Sequence, residues 1–257
     1  ELWPAQHILG QHGVFQGKSA TVQMPTSAGK TKAIEIIIRS AFISDRTSLS
    51  VIVAPFRALC HEIRNSLRHA FSGEAIYIDH ISDVFQKDYS IERFLIEKQT
   101  LVVTPEKLLY MLRHTPELAE HIGLLIYDEG HQFDNGTRGI TYELLLASLK
   151  TMVQGDTQTI LISAVISNAE SVGAWLNGDK NEVVSGANLT PTYRSIAFSS
   201  WQDVLGRLIF IDQDDPEKNY FVPRIIQQQQ LRLKGREYAE RVFPEKSKGT
   251  DVALYLG

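Results

Sequence analysis

Short runs of apolar residues alternate along this chain with longer segments whose apolar positions recur every three or four residues. Ala20–Gln23 reads as a strand leading into Thr31–Phe42, where Ala33, Ile34, Ile37, Ile38 and Ala41 fall at helical spacing and predict a core-facing stripe. Ser50–Ala54 is a β-branched run closed by Pro55, and a helical pattern over Ala58–Phe71 follows it. Ala75–Ile78 is a short strand candidate. Thr100–Val103 is another, ended by Pro105 and followed by a helix over Glu106–Arg113. Leu124–Tyr127 and Thr159–Ile162 repeat the pattern, each with a helix after it. Continuous apolar strands separated by helices predict an α/β fold with a parallel sheet covered on both faces. Such sheets take their ligands at the carboxyl ends of the strands, so the residues just after each run carry the chemistry.

The pattern changes after about Thr190. Arg194–Ser199, Arg207–Ile211 and Tyr220–Ile226 predict three short strands of a small antiparallel appendage, with Asp212–Asn219 as the second turn. Gln227–Gln230 is a brief glutamine run. Gln229–Val242 then reads as a polar helix, Pro244–Gly249 as a linker, and Thr250–Gly257 as the start of another helix.

Composition narrows the class. With 257 residues, 43% hydrophobic and 22% charged, the chain is globular and large enough to build a core without a disulfide or metal staple. Its one cysteine, Cys60, excludes an intrachain disulfide. No apolar run approaches the ~20 residues that span a bilayer, and no signal-peptide pattern opens the sequence. The expected location is cytoplasmic, or nuclear in a eukaryote. Net charge is -4, from 26 basic and 30 acidic residues. That balance does not announce a nucleic-acid binder, but a groove needs only local positive charge. A first residue Glu1 and a last helix cut at Gly257 read as a piece of a longer polypeptide.

Met24-Pro25-Thr26-Ser27-Ala28-Gly29-Lys30-Thr31 lies between a predicted strand and a predicted helix. A tight loop of small residues lets backbone N–H groups converge on a phosphate, and the helix N-terminus adds partial positive charge. Lys30 would reach the outer phosphates and the Thr31 hydroxyl would ligate magnesium. The general pattern has glycine five residues before Gly29, where this chain has Met24. The alternative is a small-residue turn that merely opens a helix.

Leu124-Leu125-Ile126-Tyr127-Asp128-Glu129-Gly130-His131 is an apolar strand ending in adjacent carboxylates. Acids at the tip of a buried strand need a partner or solvent. A magnesium–nucleotide complex supplies both, with Asp128 holding the metal and Glu129 orienting and deprotonating a water. An acidic turn capping the next segment is the other reading of this pair.

These elements together resemble superfamily two helicases of the DExH kind, with Asp128-Glu129-Gly130-His131 as the box. Trp3-Pro4-Ala5-Gln6 is similar to the upstream adenine-reading element, Gln6 being its glutamine. Ala54-Pro55-Phe56-Arg57-Ala58-Leu59 resembles the first strand-contacting motif. Thr104-Pro105-Glu106-Lys107-Leu108 resembles the Thr-Pro-Glu motif, and Ser163-Ala164-Val165 stands in place of Ser-Ala-Thr. Arg138-Gly139 with Glu143 and Leu144, and Asn168-Ala169-Glu170 with Trp175-Leu176, resemble elements of the superkiller-type branch, whose members unwind DNA or RNA from three-prime to five-prime.

The resemblance implies a RecA-like first lobe over residues 1–190, the β appendage over 191–228, and a helix, linker and start of a truncated second RecA-like lobe over 229–257. It implies ATP and Mg2+ as cofactors, and a single-stranded or partly duplex DNA or RNA as partner. The second RecA-like lobe of the same polypeptide would supply an arginine finger. Gln6, Thr26, Ser27, Ala28, Gly29, Lys30 and Thr31 would hold the nucleotide, and Thr31 and Asp128 the metal. Lys30, Asp128, Glu129 and His131 would be catalytic. Arg57, Thr104, Pro105, Glu106, Arg138 and Gly139 would grip the strand, and Ser163 and Ala164 would couple ATP state to that grip.

Other candidates are weaker. The eight histidines show no metal-ligand spacing with Cys60. Ser163 lacks the flanking glycines of a nucleophile elbow. Arg64, two helical turns from Arg57, either faces the same strand backbone or, as the favoured reading, is part of a solvated face. Two functional classes remain: an ATP-driven motor on nucleic acid, and a P-loop nucleotide switch or scaffold without translocation. Strand contacts favour the motor, because a switch does not need them. Both expect Lys30 and Asp128 within several Å of one phosphate or metal position.

Overall fold

The computed structural model describes residues 2–25, 28–79, 97–130, 136–153, 155–164, 168–186, 196–202, 205–211 and 220–227. The chain forms two compact units, Glu1–Pro191 and Thr192–Gly257.

The first unit is built around a seven-stranded sheet. In chain order its elements are α1 (Pro4–Gln11), β1 (Ala20–Gln23), α2 (Lys30–Ile43), β2 (Leu49–Val53), α3 (Arg57–Ala70) and β3 (Ile76–Asp79). There follow β4 (Lys98–Val103), α4 (Pro105–His114), α5 (Leu118–His121), β5 (Ile122–Tyr127), α6 (Gly136–Met152), β6 (Gln158–Ser163), α7 (Ala169–Asn177) and β7 (Glu182–Ser185). The strand order is β3-β4-β2-β5-β6-β1-β7, and all neighbouring strands run parallel. Parallel neighbours need crossover connections, and the described helices pack on both faces of the sheet.

Alternation along the strands sorts the core into two layers. Ile52, Ile126, Ile160 and Val22 join Ile34, Ile37 and Ile38 of α2 and Cys60, Ile63 and Leu67 of α3. Val51, Val53, Leu125, Tyr127 and Leu161 face the other way, against Leu108, Met111 and Leu112 of α4 and Tyr142, Leu145, Leu146 and Leu149 of α6. Each fully buried aliphatic side chain of this kind stabilises the fold by roughly 1.5–3 kcal/mol. Some buried polar strand residues pair with one another or with the backbone: Ser50 and Thr100 hydroxyls meet at 2.7 Å, and Gln158 Nε2 donates to the Val14 carbonyl at 2.7 Å.

One strand is additional to the expected pattern, and one expectation changes. β7 has no counterpart in the sequence pattern: its four residues form a half-buried edge and lack the continuous apolar run of the central strands. Arg64 is buried, not on a solvated face. It lies one turn beyond Cys60 and next to Ile63, on the face that α3 turns to the sheet.

In the second unit, β8 (Ile196–Gln202), β9 (Leu205–Ile211) and β10 (Tyr220–Gln227) form a three-stranded antiparallel sheet in the order β10-β9-β8. The register of β10 shifts between Val222 and Ile226, where Pro223 lies on an edge strand that tolerates a missing N–H. The turn over Asp212–Asn219, the helix over Gln229–Val242, the linker and Thr250–Gly257 lie outside the described residues. Among the described residues no helix is long and apolar enough to cross a membrane.

Candidate nucleotide-binding site

The register aligns the carboxyl ends of the central strands. Val53 of β2 pairs with Val103 of β4 and with Tyr127 of β5, Tyr127 pairs with Leu161 of β6, and Gln23 of β1 pairs with Ser163 of β6. The segments that follow these strands therefore emerge along one edge of the sheet.

After β1 the chain runs through Met24 and Pro25, and Ala28 N–H donates to the Pro25 carbonyl at 3.0 Å. Met24 is not in the positive-φ region, so its backbone accepts a side chain, which is buried in the core. That is why the absence of a leading glycine is tolerated at this position. Gly29 does need to be glycine: it caps α2 at φ +82°, and an added Cβ would lie 3.3 Å from Trp3 Cε3 and 3.6 Å from Gln6 Nε2. Gln6 is buried beside this loop, and its Oε1 accepts from the Trp3 N–H at 2.9 Å across the first turn of α1. Thr26 and Ser27 lie outside the described residues. Ala28 is buried, and Thr31 is exposed on the first turn of α2.

Lys30 begins α2 and is buried. Its Nζ donates to Glu129 Oε1 and lies 3.8 Å from Asp128 Oδ1. The side chains of Lys30, Glu129 and Asp128 are 9%, 17% and 6% exposed, so the ammonium is held mainly by the two carboxylates. Carboxylate oxygens at the end of a strand are the donor type that a magnesium ion takes.

Backbone geometry aims the acids. Asp128 N–H donates to the Val53 carbonyl at 2.9 Å, extending the β2–β5 ladder by one bond. Glu129 then turns into the left-handed region at φ +55°, where its N–H donates to Asp128 Oδ1 at 3.0 Å. Gly130 follows, and a Cβ there would lie 2.7 Å from Leu161 Cδ1. His131 and Val165 lie outside the described residues. Ser163 is fully buried at the end of β6, its carbonyl accepting from Met24 N–H at 2.8 Å. Ala164 follows it, partly buried.

A family model described as "DEAD/DEAH box helicase" matches residues 4–172 of the 257. The chain belongs to the DEAD/DEAH box helicase family. It is 28% identical over 249 residues to Hachiman protein HamB of Bacillus cereus, covering 96% of this chain and 22% of that protein. It is 30% identical to the ATP-dependent DNA helicase Hel308 of Thermococcus kodakarensis over 185 residues, or 72% of this chain and 16% of that one. Hel308 of Pyrobaculum calidifontis gives 30% identity over 175 residues, 68% of this chain and 24% of that one. The chain thus spans a quarter or less of these relatives. A variant of S. cerevisiae Dbp5, solved bound to a Gle1 variant and IP6, shares the fold at TM-score 0.58, with 18% identity over 71% of this chain and 46% of that one. The first unit is a helicase-family ATP-binding domain with a RecA-like fold, the amino-terminal lobe of a superfamily two helicase.

The remaining sequence candidates sit along the same edge. Arg57 is exposed at the start of α3, just after β2. Thr104 and Pro105 are buried where β4 turns into α4, Thr104 as the cap and Pro105 as the first helical residue, with Glu106 exposed beside them. Gly139 is buried in the first turn of α6, while the Arg138 side chain lies outside the described ones. In the strand order these segments follow β4, β2 and β5, whereas the Lys30 cluster involves β5, β6 and β1.

Sequence reasoning misses two participants. Trp3 stands out in the sequence as part of a motif, not as a ring against Gly29. Tyr142 does not stand out at all, although a phenol inside the leucine-rich run of α6 is the kind of buried polar group that needs a partner.

Proposed function

We propose that this chain is the ATP-binding lobe of a longer ATP-dependent helicase of the superkiller-type branch, which hydrolyses ATP to move along one nucleic-acid strand in the three-prime to five-prime direction. The single observation that supports it most is Lys30 held between Asp128 and Glu129 beside the Gly29 loop. Helicases of this family use ATP with Mg2+, and the residues fit that pair: a glycine-only approach at Gly29, an exposed Thr31 hydroxyl and the Asp128 carboxylate. When bound, the metal supplies charge neutralisation on the phosphates.

In this reading Gln6 reads the adenine, and residues 26–29 cradle the phosphates with backbone N–H groups. Lys30 exchanges its carboxylate partners for the outer phosphates, and Thr31 and Asp128 hold the metal. Glu129 accepts the proton of the attacking water, and His131 passes the state of the site to the other lobe. A second RecA-like lobe of the same polypeptide adds an arginine finger. Arg57, Thr104-Pro105-Glu106 and Arg138-Gly139 grip the phosphodiester backbone, and Ser163-Ala164, tied to the start of the phosphate loop through the Met24 N–H, couples the two halves.

The strand is DNA in this reading, supported by the Hel308 relatives, which are named as DNA helicases. Unwinding assays on the full-length protein test the proposal. A duplex with a three-prime single-stranded tail should be opened in an ATP-dependent way and one with a five-prime tail should not. Nucleotide binding without unwinding of either would leave the switch reading in its place.

A further inference from the structure

Tyr142 is buried on α6, and its hydroxyl donates to the Asp128 carbonyl at 2.9 Å. The same hydroxyl lies 3.4 Å from the Val53 carbonyl, the oxygen that also accepts the Asp128 N–H. The phenol thus stands between the ends of β2 and β5. The peptide that joins Asp128 to Glu129 is held from both sides: its C=O by Tyr142, and its N–H by the Asp128 carboxylate at 3.0 Å. Immediately after it Glu129 adopts φ +55°, a conformation disfavoured for a residue with a side chain and sustained only by its surroundings. Rotation of that peptide would let Glu129 relax, and would carry its carboxylate away from the Lys30 ammonium.

We infer that Tyr142 is a positioning residue for ATP hydrolysis, its hydroxyl locking the Asp128–Glu129 peptide so that the Glu129 carboxylate stays beside Lys30. Burial, and then the charge of Asp128, push the Tyr142 hydroxyl well above its ordinary pKa. It remains a donor throughout the working pH range. Tyr142→Phe deletes this donor and leaves the ring among its neighbours, so the packing of α6 against the sheet is kept while the Asp128 carbonyl loses the hydroxyl bond.

The inference rests on the ATPase reading, and four forms of the full-length protein separate the two: wild type, Tyr142→Phe, Glu129→Gln and the double variant. Strand-stimulated kcat, KM for ATP, equilibrium ATP binding and melting temperature are measured for each. Tyr142→Phe should lower kcat about five- to tenfold, the effect of one hydrogen bond made where it matters, with KM within about twofold of wild type. In the Glu129→Gln background the same change should alter kcat by less than about twofold, because the carboxylate it positions is already gone. Unchanged kcat in Tyr142→Phe would overturn the inference. So would full multiplication of the two effects in the double variant, or a loss of ATP binding or of the folded state, since the hydroxyl would then serve general packing. A Glu129→Gln protein as active as wild type would remove the ATPase reading itself, and the inference with it.

Discussion

Lys30 Nζ and Asp128 Oδ1 stand 3.8 Å apart, although the strands that lead to them, β1 and β5, are separated in the sheet by β6. β1 and β6 end level, Gln23 opposite Ser163, while β5 ends two residues earlier with Tyr127 opposite Leu161. Asp128 and Glu129 therefore follow β5 alongside the end of β6 and meet Lys30, which follows β1, there. A lysine and a carboxylate this far from solvent are costly to bury unless each has the other. The pair therefore forms part of the folded structure as well as of the site.

Glu129→Gln keeps the shape of the side chain and removes its basicity. In the full-length protein it is expected to retain ATP binding while hydrolysis falls by ~100-fold or more. Nucleotide binding by equilibrium titration and steady-state phosphate release check this together. Retained turnover would take the general-base role away from Glu129.

Much of this fold is legible in the sequence, for a physical reason. The central strands are buried on both faces, so β2, β4, β5 and β6 announce themselves as apolar runs, and their ends fall within two residues of the expected ones. The edge strand β7 has no such signature, since among the described residues no strand pairs with its outer side. Lys30, Asp128 and Glu129 stand out because their chemistry demands small residues before and apolar residues behind. The Trp3 ring at Gly29 and the Tyr142 hydroxyl on Asp128 are contacts between distant segments, which no local pattern encodes.

Arg57 is exposed at the edge of the sheet where the strand grip is proposed. Replacing it by Ala should weaken single-strand binding to a similar extent for every sequence, because a phosphate contact carries no base information. The slope of log affinity against log salt should flatten by about one unit. Titrations of unrelated oligonucleotides at several salt concentrations measure both, and an effect confined to one sequence would reassign Arg57.

Burial raises the Cys60 thiol to about 11, with Arg64 only partly opposing the shift. At pH 8 about one thiol in a thousand is then ionised. Alkylation of the folded chain should accordingly be slow and should accelerate sharply on addition of denaturant. Mass spectrometry after a timed iodoacetamide pulse follows it; rapid labelling of the native protein would contradict the buried placement of α3.

Residues 1–257 alone should turn over ATP poorly. The arginine finger of the proposed mechanism belongs to the second lobe, and such a residue is worth about 10³–10⁵ in rate. Comparing phosphate release by this chain and by the full-length protein under the same conditions tests the division of labour. A robust strand-stimulated ATPase from the isolated chain would show that the site is complete without a partner lobe.

Stimulation of ATP hydrolysis by nucleic acid is the most direct test of whether the cluster of Lys30, Asp128 and Glu129 drives a motor on a strand. The full-length protein should be assayed with no oligonucleotide, with single-stranded DNA and with RNA of matched length and sequence. DNA should raise the rate well above the unstimulated level, with RNA weaker. If ATP binds but neither strand changes the rate, the motor function is contradicted.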